Sequence, residues 1–505
     1  MLIKTLPSWI VFSPLLGAAV ILFFPREKSG WIRRIGWLGT LPPLLFSLFL
    51  YARFDAGIQG VQFGQNIPWF SIPLPQGKSW PIAYQLGVDG LSMPLMLLAA
   101  LIASLAAIAS LYIKERHKEY FLLFLLLEMG TLGVFLARNL FLFFLFFEVT
   151  LVAMFFLIGI WGYVHREKTA NQFLLYNGLG SAFMLIGFLG ILALFQTLDF
   201  NQLQAVLSDP RTSPLLEQGM VNRLMWGIFL CLALAFAIKL PIFPFHTWML
   251  KVHTEAPPAV VMIHAGVLLK MGAYGMIRFG VELFPEQVKA SASVLALLGL
   301  VNILYGAVLA FTQKDLKRVL AYSSVSHMGI ILFGIASLNL VGLQGAVFQA
   351  VSHGFIAALL FFFVASLHER MRTTMIAELG GLARSMPVLM GIFLAGGLAL
   401  LGLPGTSGFI SEFLAFLGLF ESQPVVAAVG TIGLVLTAVY SLRAVLSTSF
   451  GPISERWQNL RDIRWAEAGP MLVLLSLILL IGVWPATLEA PIQTTLQLIA
   501  ARIGG

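Results

Sequence analysis

Long stretches without a single charged residue are the feature that most restricts how this chain can fold. Gly90 to Ile113 and Val388 to Ile410 each contain no Asp, Glu, Lys or Arg. About 20 apolar helical residues cross a bilayer, and a helix satisfies every backbone N–H group within the spanning segment. The pattern therefore predicts an all-α integral membrane protein. A membrane barrel would instead show alternating segments of about 10 residues.

About fourteen such apolar blocks follow one another along the chain, and we expect each to be one transmembrane helix. They lie near 8–24, 31–52, 90–113, 119–137, 139–161, 171–196, 222–245, 259–280, 290–312, 319–337, 342–366, 387–418, 425–447 and 468–488. Most of the 31 Lys and Arg residues fall on the inner side if both chain ends are outside. We expect the first block to be a retained helix and not a signal peptide, and 53–88 and 197–221 to be loops on one face.

The composition argues against several other classes of protein. Charged residues make up 11% of the chain, against roughly 25% in soluble domains. The net charge of +8 is explained by basic loops, so no nucleic-acid partner is expected. The single cysteine, Cys231, excludes a disulfide within the chain and an iron–sulfur cluster held by this chain alone. No cofactor is expected, and His246, His253 and His264 do not have the spacing of a metal site.

Two of the predicted helices are interrupted by proline. One break runs from Ile238 to Pro244 in the seventh block, and the other from Leu403 to Gly408 in the twelfth. Proline inside a helix removes a hydrogen bond and clashes with the previous turn. Paired breaks in two halves of a chain are typical of transporters. Five blocks separate the breaks, which predicts two inverted five-helix repeats, although simple proline kinks remain an alternative.

We expect one membrane domain that contains both repeats. Its parts are 1–118 with helices 1 to 3, 119–280 with the first repeat, 290–447 with the second repeat, and 468–505 with the last helix and the C-terminus.

Ionisable residues recur in the middle of the predicted helices, where a charge costs a few kcal/mol or more and indicates function. These residues are Glu128, Glu148, Lys239, Lys270, His327, His353 and Glu412. Each can take up or release a proton, and neighbouring charges in a poorly screened interior change one another's pKa. The series predicts a proton relay across the membrane. Charge pairs that only hold helices together are the alternative, which weighs most for Glu128 and the histidines. Asp89 and Asp315 are expected at solvated helix ends.

Several motifs resemble the antiporter-like membrane subunits of respiratory complex I. The most specific motif runs from Lys239 to Met249 and is followed by His253 to Pro257. Further matches are Gly87 to Ser92, Tyr322 to Gly329 and Gly402 to Phe409. The resemblance covers nearly the whole chain and implies a fourteen-helix fold with two inverted five-helix repeats.

The resemblance also implies roles for individual residues. It implies a channel acid on the fifth helix, Glu148, a lysine on the broken seventh helix, Lys239, and a central lysine on the eighth, Lys270. The terminal residue on the twelfth helix is lysine in several members of the family and is Glu412 here. This glutamate, together with a chain that ends soon after its fourteenth helix, indicates one particular type of subunit within the family.

On this resemblance we expect a proton-translocating subunit of an NADH:quinone oxidoreductase in a bacterial cell membrane. Redox chemistry would take place in partner subunits, with antiporter-like subunits on both sides and lipid around them. A D-type subunit of a multisubunit Na⁺/H⁺ antiporter, or a membrane-bound hydrogenase subunit, is the alternative, and Glu412 argues against the antiporter. A membrane transferase would need paired carboxylates in an outer loop, and no such motif occurs.

Overall fold

The computed structural model describes residues 2–73, 79–110, 113–208 and 219–504, and helices dominate these ranges. The helices are α1 (Leu2–Phe23), α2 (Ser29–Arg53), α3 (Ser92–Ala109), α4 (His117–Leu136), α5 (Leu140–Trp161), α6 (Arg166–Phe195), α7 (Phe200–Ser208), α8 (Gly219–Lys239), α9 (Thr247–Glu255), α10 (Pro258–Val281), α11 (Pro285–Thr312), α12 (Leu316–Ala336), α13 (Leu340–Met371), α14 (Pro387–Leu400), α15 (Ser407–Ser422), α16 (Pro424–Ser449), α17 (Trp465–Val483) and α18 (Ala486–Arg502). Within these ranges, 13 helices are long and apolar enough to span a membrane. The remaining predicted span, the twelfth, is divided between α14 and α15, so the all-α membrane fold is confirmed.

Both predicted helix breaks are present. In the seventh span α8 ends at Lys239 and the chain resumes as α9 at Thr247. In the twelfth span α14 ends at Leu400 and α15 begins at Ser407. Five crossings separate the two breaks, so the interrupted helices run in opposite directions, as inverted repeats require. The exact division of the chain into four parts remains a prediction.

The two long connections contain structure that the sequence analysis did not predict. Part of 53–88 forms an antiparallel hairpin of β1 (Gln62–Pro73) and β2 (Ser79–Val88), and α7 lies within 197–221. The interpretation of these parts as loops was wrong. In β2 the side chains of Ile82, Leu86 and Val88 are buried, but the strand has only ten residues and contains polar ones, so a search for long apolar blocks does not detect it. Helix α18, after the last span, was also not predicted.

The helices at the centre of the bundle differ from those at its edge in how far they are covered. The most apolar windows of α10 and α13 are 100% buried and that of α12 is 94% buried, whereas those of α2 and α16 are 33% buried. Lys270, His327 and His353 lie on the three covered helices. The most deeply buried helices of the bundle therefore hold ionisable side chains.

A buried ionic network joins the starts of α3 and α5 to the end of α10. Arg138 Nη1 lies 2.9 Å from Asp89 Oδ2, and Arg278 Nη2 lies 2.7 and 2.6 Å from the two oxygens of Asp89. Arg278 Nη1 also pairs with Glu282 Oε1 at 2.7 Å. Asp89 is 3% exposed, so the expectation that it is solvated was wrong. Burial alone would raise the pKa of Asp89, but Arg278 and Arg138 hold it below its usual range.

Asp315, in contrast, lies at a helix end as expected. Its side chain accepts a hydrogen bond from the backbone N–H of Lys317 at 2.7 Å and so caps α12.

Asp89→Asn is expected to lower the free energy of unfolding by about 3–5 kcal/mol, because two buried guanidinium groups lose their shared countercharge. Thermal unfolding of the purified protein measures this loss. Because the folded-state pKa is lowered, the stabilisation by Asp89 is complete above an unfolded-state value of about 4 and is lost as the pH falls through the folded value.

The matched control is Glu286→Gln, which removes an exposed carboxylate 3.0 Å from Lys289 and should change little. Equal effects of the two substitutions would contradict a structural role for the buried network.

Candidate functional site

Buried ionisable side chains form a row through the middle of the bundle, from α5 to α15. The row contains six of the seven residues that the sequence predicted, and the structure adds two histidines and two amides to them. In order along the row, its members are Glu148, Asn177, Lys239, His264, His253, Lys270, His353, His327, Gln349 and Glu412. The contacts between neighbouring members determine whether protons could pass along the row.

Lys239 occupies the last position of α8, directly before the break. Its Nζ donates to Asn177 Oδ1 at 3.4 Å and lies 4.7 Å from the centre of the Phe147 ring, which is a cation–π contact. Glu148 on α5 interacts with it electrostatically. The negative end of the helix dipole also favours a cation at this place. Termination of the helix at residue 239 therefore creates a site for a buried ammonium group.

Glu148 differs from the rest of the row because the chain itself covers it only in part. Its Oε1 has no hydrogen-bond partner within the described ranges. Leu145, Val152 and Phe156 lie on the same side of α5 and are exposed. Glu148 thus lies at mid-span, partly covered by this chain, beside a face of α5 whose apolar side chains are exposed.

Two histidines that the sequence analysis considered only as metal ligands fill the space between the two lysines. His253 Nε2 on α9 lies 3.0 Å from His264 Nδ1 on α10. His264 interacts electrostatically with Lys239 and Lys270. Both histidines lie inside or just after the motif around the seventh-span break, and that position was the available signal. They connect the lysine of α8 to the lysine of α10.

His246 is buried at the same break but does not join the row. Its ring packs against Phe243 and Tyr305, with ring centres 5.7 and 5.1 Å apart. Neither of its nitrogens has a hydrogen-bond partner among the described residues. Within that part of the chain, no group of three or more His, Cys, Asp or Glu side chains could hold a metal ion.

Lys270 lies at the centre of the row on α10, next to a π-helical turn at His264–Leu268. Its Nζ donates to the carbonyl of Ala265 at 2.5 Å and lies 2.8 Å from His353 Nδ1 on α13. Wide π turns occur often at functional sites, where they redirect backbone groups. Close packing of Gly266 on α10 against Gly354 on α13 brings the two helices together beside this contact: a Cβ on Gly354 would lie 2.8 Å from the carbonyl of Gly266.

From His353 the row continues through His327 to Glu412. The two imidazole rings have their centres 5.3 Å apart. The Gln349 amide donates to His327 Nδ1 at 2.9 Å, and Glu412 Oε1 lies 3.5 Å from the same nitrogen. Ser411 in turn donates to Gln349 Oε1 at 2.5 Å. The last acid is therefore linked to the central histidines.

Glu412 sits against the backbone of the twelfth-span break. Gly402 has a φ of +76°, and a Cβ built on it would lie 2.6 Å from Glu412 Oε2. Only glycine combines this left-handed backbone with room for the carboxylate. The break thus shapes the pocket of the acid, in the same way that the seventh-span break positions Lys239.

Glu128 is buried on α4 but lies outside the row. It is 1% exposed, and neither carboxyl oxygen has a hydrogen-bond partner within the described ranges. The structure therefore brings six of the seven predicted residues together and leaves this one apart.

Comparison with known proteins relates the chain to membrane subunits of respiratory enzymes. Residues 137–437 match the family described as NADH:quinone oxidoreductase/Mrp antiporter. NAD(P)H-quinone oxidoreductase chain 4 of Synechococcus elongatus is 39% identical, with 98% of this chain and 91% of the relative covered. NADH-quinone oxidoreductase subunit M of Rhodobacter capsulatus is 37% identical, with 96% and 94% covered. Subunit M is the type that Glu412 and the chain length indicated.

Solved structures show the same fold. A chain of respiratory complex I from Thermus thermophilus matches with a TM-score of 0.84 and 30% identity, and both chains are covered in full. A chain of an archaeal membrane-bound sulfane sulfur reductase matches with a TM-score of 0.80 and 26% identity, over 94% of this chain and 76% of that one. The Mrp complex from Dietzia matches with a TM-score of 0.82 at 20% identity, over 99% and 100%, and shares the fold.

Gly402→Ala is expected to displace the Glu412 carboxylate, and Gly405→Ala is its matched control. Gly405 has a φ of +92° but open space around a built Cβ. Both substitutions should cost about 1–2 kcal/mol of backbone strain, measured by thermal unfolding. Only Gly402→Ala should also raise the rate at which a hydrophobic carbodiimide labels Glu412, quantified by peptide mass spectrometry. Equal labelling in the two variants would contradict the proposed contact.

Proposed function

The chain belongs to the NADH:quinone oxidoreductase/Mrp antiporter family of membrane subunits, and we propose that it moves protons along the buried row as part of an NADH:quinone oxidoreductase. The observation that carries this proposal is the row of side chains from Glu148 to Glu412, whose neighbours are linked by hydrogen-bond contacts or by electrostatic interactions. Each charged or imidazole group in it can hold a proton, and its neighbours lie on other helices.

The order of charges along the row supports a switching mechanism. Glu148 and Lys239 lie at one end, Lys270 contacts His353 at the centre, and Glu412 lies at the other end. Two unit charges about 4 Å apart interact by about 4 kcal/mol at an effective dielectric constant near 20. A change in the charge of one group can therefore shift a proton on the next. A small movement of α8 or α15 at the breaks would be sufficient to start the change.

A neighbouring membrane subunit is the natural cover for Glu148. A carboxyl group at mid-span facing lipid is unfavourable by several kcal/mol, and such groups normally face protein or a hydrated cavity. We infer that an antiporter-like subunit packs against the open face of α5 and brings the entry acid into a continuous path between subunits. A second such neighbour would then adjoin the Glu412 end.

We place the redox chemistry in partner subunits, because the one cysteine of this chain cannot ligate an iron–sulfur cluster by itself. We further propose that the chain holds no cofactor and that its role is to couple proton movement to the enzyme. Relatives from bacteria and the positive-inside distribution of Lys and Arg favour a bacterial cell membrane with both termini on the outer side.

A second function is a candidate because two of the matching solved structures come from other membrane complexes. The Mrp complex and the archaeal membrane-bound sulfane sulfur reductase contain chains of the same fold, so a subunit of a multisubunit Na⁺/H⁺ antiporter or of a membrane-bound hydrogenase is the second candidate. The identities of 37–39% with quinone oxidoreductase subunits, against 20% and 26% for these two, favour the first proposal.

Glu148→Gln and Lys239→Ala are expected to impair proton pumping by the assembled complex. Each removes a group that exchanges protons, which should slow the transfer step by about 10²-fold or more. Proton uptake into vesicles per NADH oxidised measures the effect. Lys251→Ala, which removes an exposed lysine from α9, is the control and should pump normally. Normal pumping with normal assembly in both test variants would rule out the relay.

Purification of the complex through an affinity tag on this chain distinguishes a quinone oxidoreductase from an antiporter or hydrogenase complex. We expect flavin, iron–sulfur subunits and further antiporter-like subunits to accompany the chain, identified by mass spectrometry and by iron and flavin content. Recovery with antiporter subunits alone, without flavin or iron, would favour the second function.

A further inference from the structure

A cavity on the side of the bundle, away from the proton row, combines an apolar lining with a basic rim. It has a volume of about 280 Å³ and lies between α2, α3 and α4. Its lining includes Arg33, Arg34, Trp37, Ala107, Ile108 and Phe121. Both arginines belong to the first turns of α2, so the basic rim lies at the end of the spanning segments, where the membrane meets water.

The two arginines have no acidic partner within the described ranges, although an ion pair forms close by. Arg26 pairs with Glu119 at 2.6 Å. Arg33 Nη2 instead donates to the carbonyl of Ile113 at 3.0 Å and lies 2.5 Å from His117 Nε2, while its Nε is buried without a partner. Arg34 stacks over the ring of Trp31 at 5.5 Å. Positive charge at the rim is thus fixed in place and not neutralised by the protein.

The apolar part of the cavity is built by a helix contact that only glycine permits. The Phe121 ring lies directly against Gly36 on α2, in the space that a Cβ would occupy. Ile108 and Ala107 on α3 line the opposite wall. The result is a groove with an apolar lining beside the two arginines.

We propose that this groove binds one anionic glycerophospholipid, with its phosphate on Arg33 and Arg34 and an acyl chain along Trp37, Ile108 and Phe121. Basic pockets between spanning helices on the cytoplasmic side are known to hold anionic head groups. An indole such as Trp37 favours the level of the head groups. Charge complementarity requires an anion, and the apolar wall below the charges requires that the anion carry a hydrocarbon chain. A free phosphate ion would leave that wall empty.

The test uses the intact complex in nanodiscs with a phosphatidylglycerol that carries a photoreactive diazirine on its acyl chain. After illumination, peptide mass spectrometry locates the label on this chain. We expect labelling of the peptides that contain Trp37, Ile108 or Phe121. Excess phosphatidylglycerol should compete with it, whereas phosphatidylcholine and inorganic phosphate should not.

Two variants separate the charge from the groove. Arg33→Gln with Arg34→Gln should lower labelling at the groove by about 10- to 30-fold, since each basic residue contributes to the attraction of anionic lipid. Ile108→Trp keeps both arginines but fills the groove, and it should also abolish the label. The control, Arg166→Gln with Lys168→Gln, removes two exposed basic residues from the start of α6 and should label as the wild type does.

Three results would overturn the proposal. Equal competition by phosphatidylcholine would identify the label as bulk lipid, and labelling that survives loss of both arginines would remove the role of charge. Absence of groove labelling in the wild-type complex would mean that another subunit occupies the groove.

Discussion

The contact between Lys270 and His353 depends on a constraint that governs the whole bundle: a charge inside a membrane must find its partners within protein. The 2.8 Å contact joins the two helices whose apolar windows are completely covered, α10 and α13. Placing such groups in the least exposed helices spares them contact with lipid, but it leaves them poorly screened. The surrounding helices are consequently arranged to bring polar groups to them: the Ala265 carbonyl, the imidazoles and the amides of Asn177 and Gln349. The same property makes each group sensitive to the charge of its neighbours.

The two helix breaks solve the same problem in opposite halves of the chain. At the first, the end of α8 fixes an ammonium group, and at the second, the backbone at Gly402 receives a carboxylate. A continuous helix would satisfy its own backbone groups and offer nothing to a buried side chain. An interrupted helix leaves backbone N–H and C=O groups unpaired at mid-membrane, where they can interact with a buried side chain. A basic side chain lies at one break and an acidic side chain at the other, so the two halves share an architecture but differ in the chemistry of the buried group.

The fold and most of the row could be predicted from the sequence because both show as a contrast between apolar and polar residues. Fourteen apolar blocks stand out in composition, and Lys239, Lys270 and Glu412 stand out within blocks that should hold no charge. His253 was missed because it lies beside a break, where polar residues look ordinary. His264 lies inside the eighth predicted block, but its role depends on how α9 folds back beside α10 and pairs the two histidines. Asp89 was misjudged for the same reason: its partners, Arg138 and Arg278, come from distant parts of the chain. The hairpin was missed because its strands are short and contain polar residues.

The amide of Gln349 determines how the imidazole of His327 is oriented. A primary amide neither gains nor loses a proton near neutral pH, so its bond to His327 orients the imidazole and conducts nothing itself. While that bond persists, Nδ1 is occupied and faces Glu412 across 3.5 Å without accepting from it. Breaking this hydrogen bond in the buried interior would leave an unpaired polar group, which costs about 1–3 kcal/mol. The uncharged amide of Gln349 therefore fixes the orientation of the imidazole that faces Glu412.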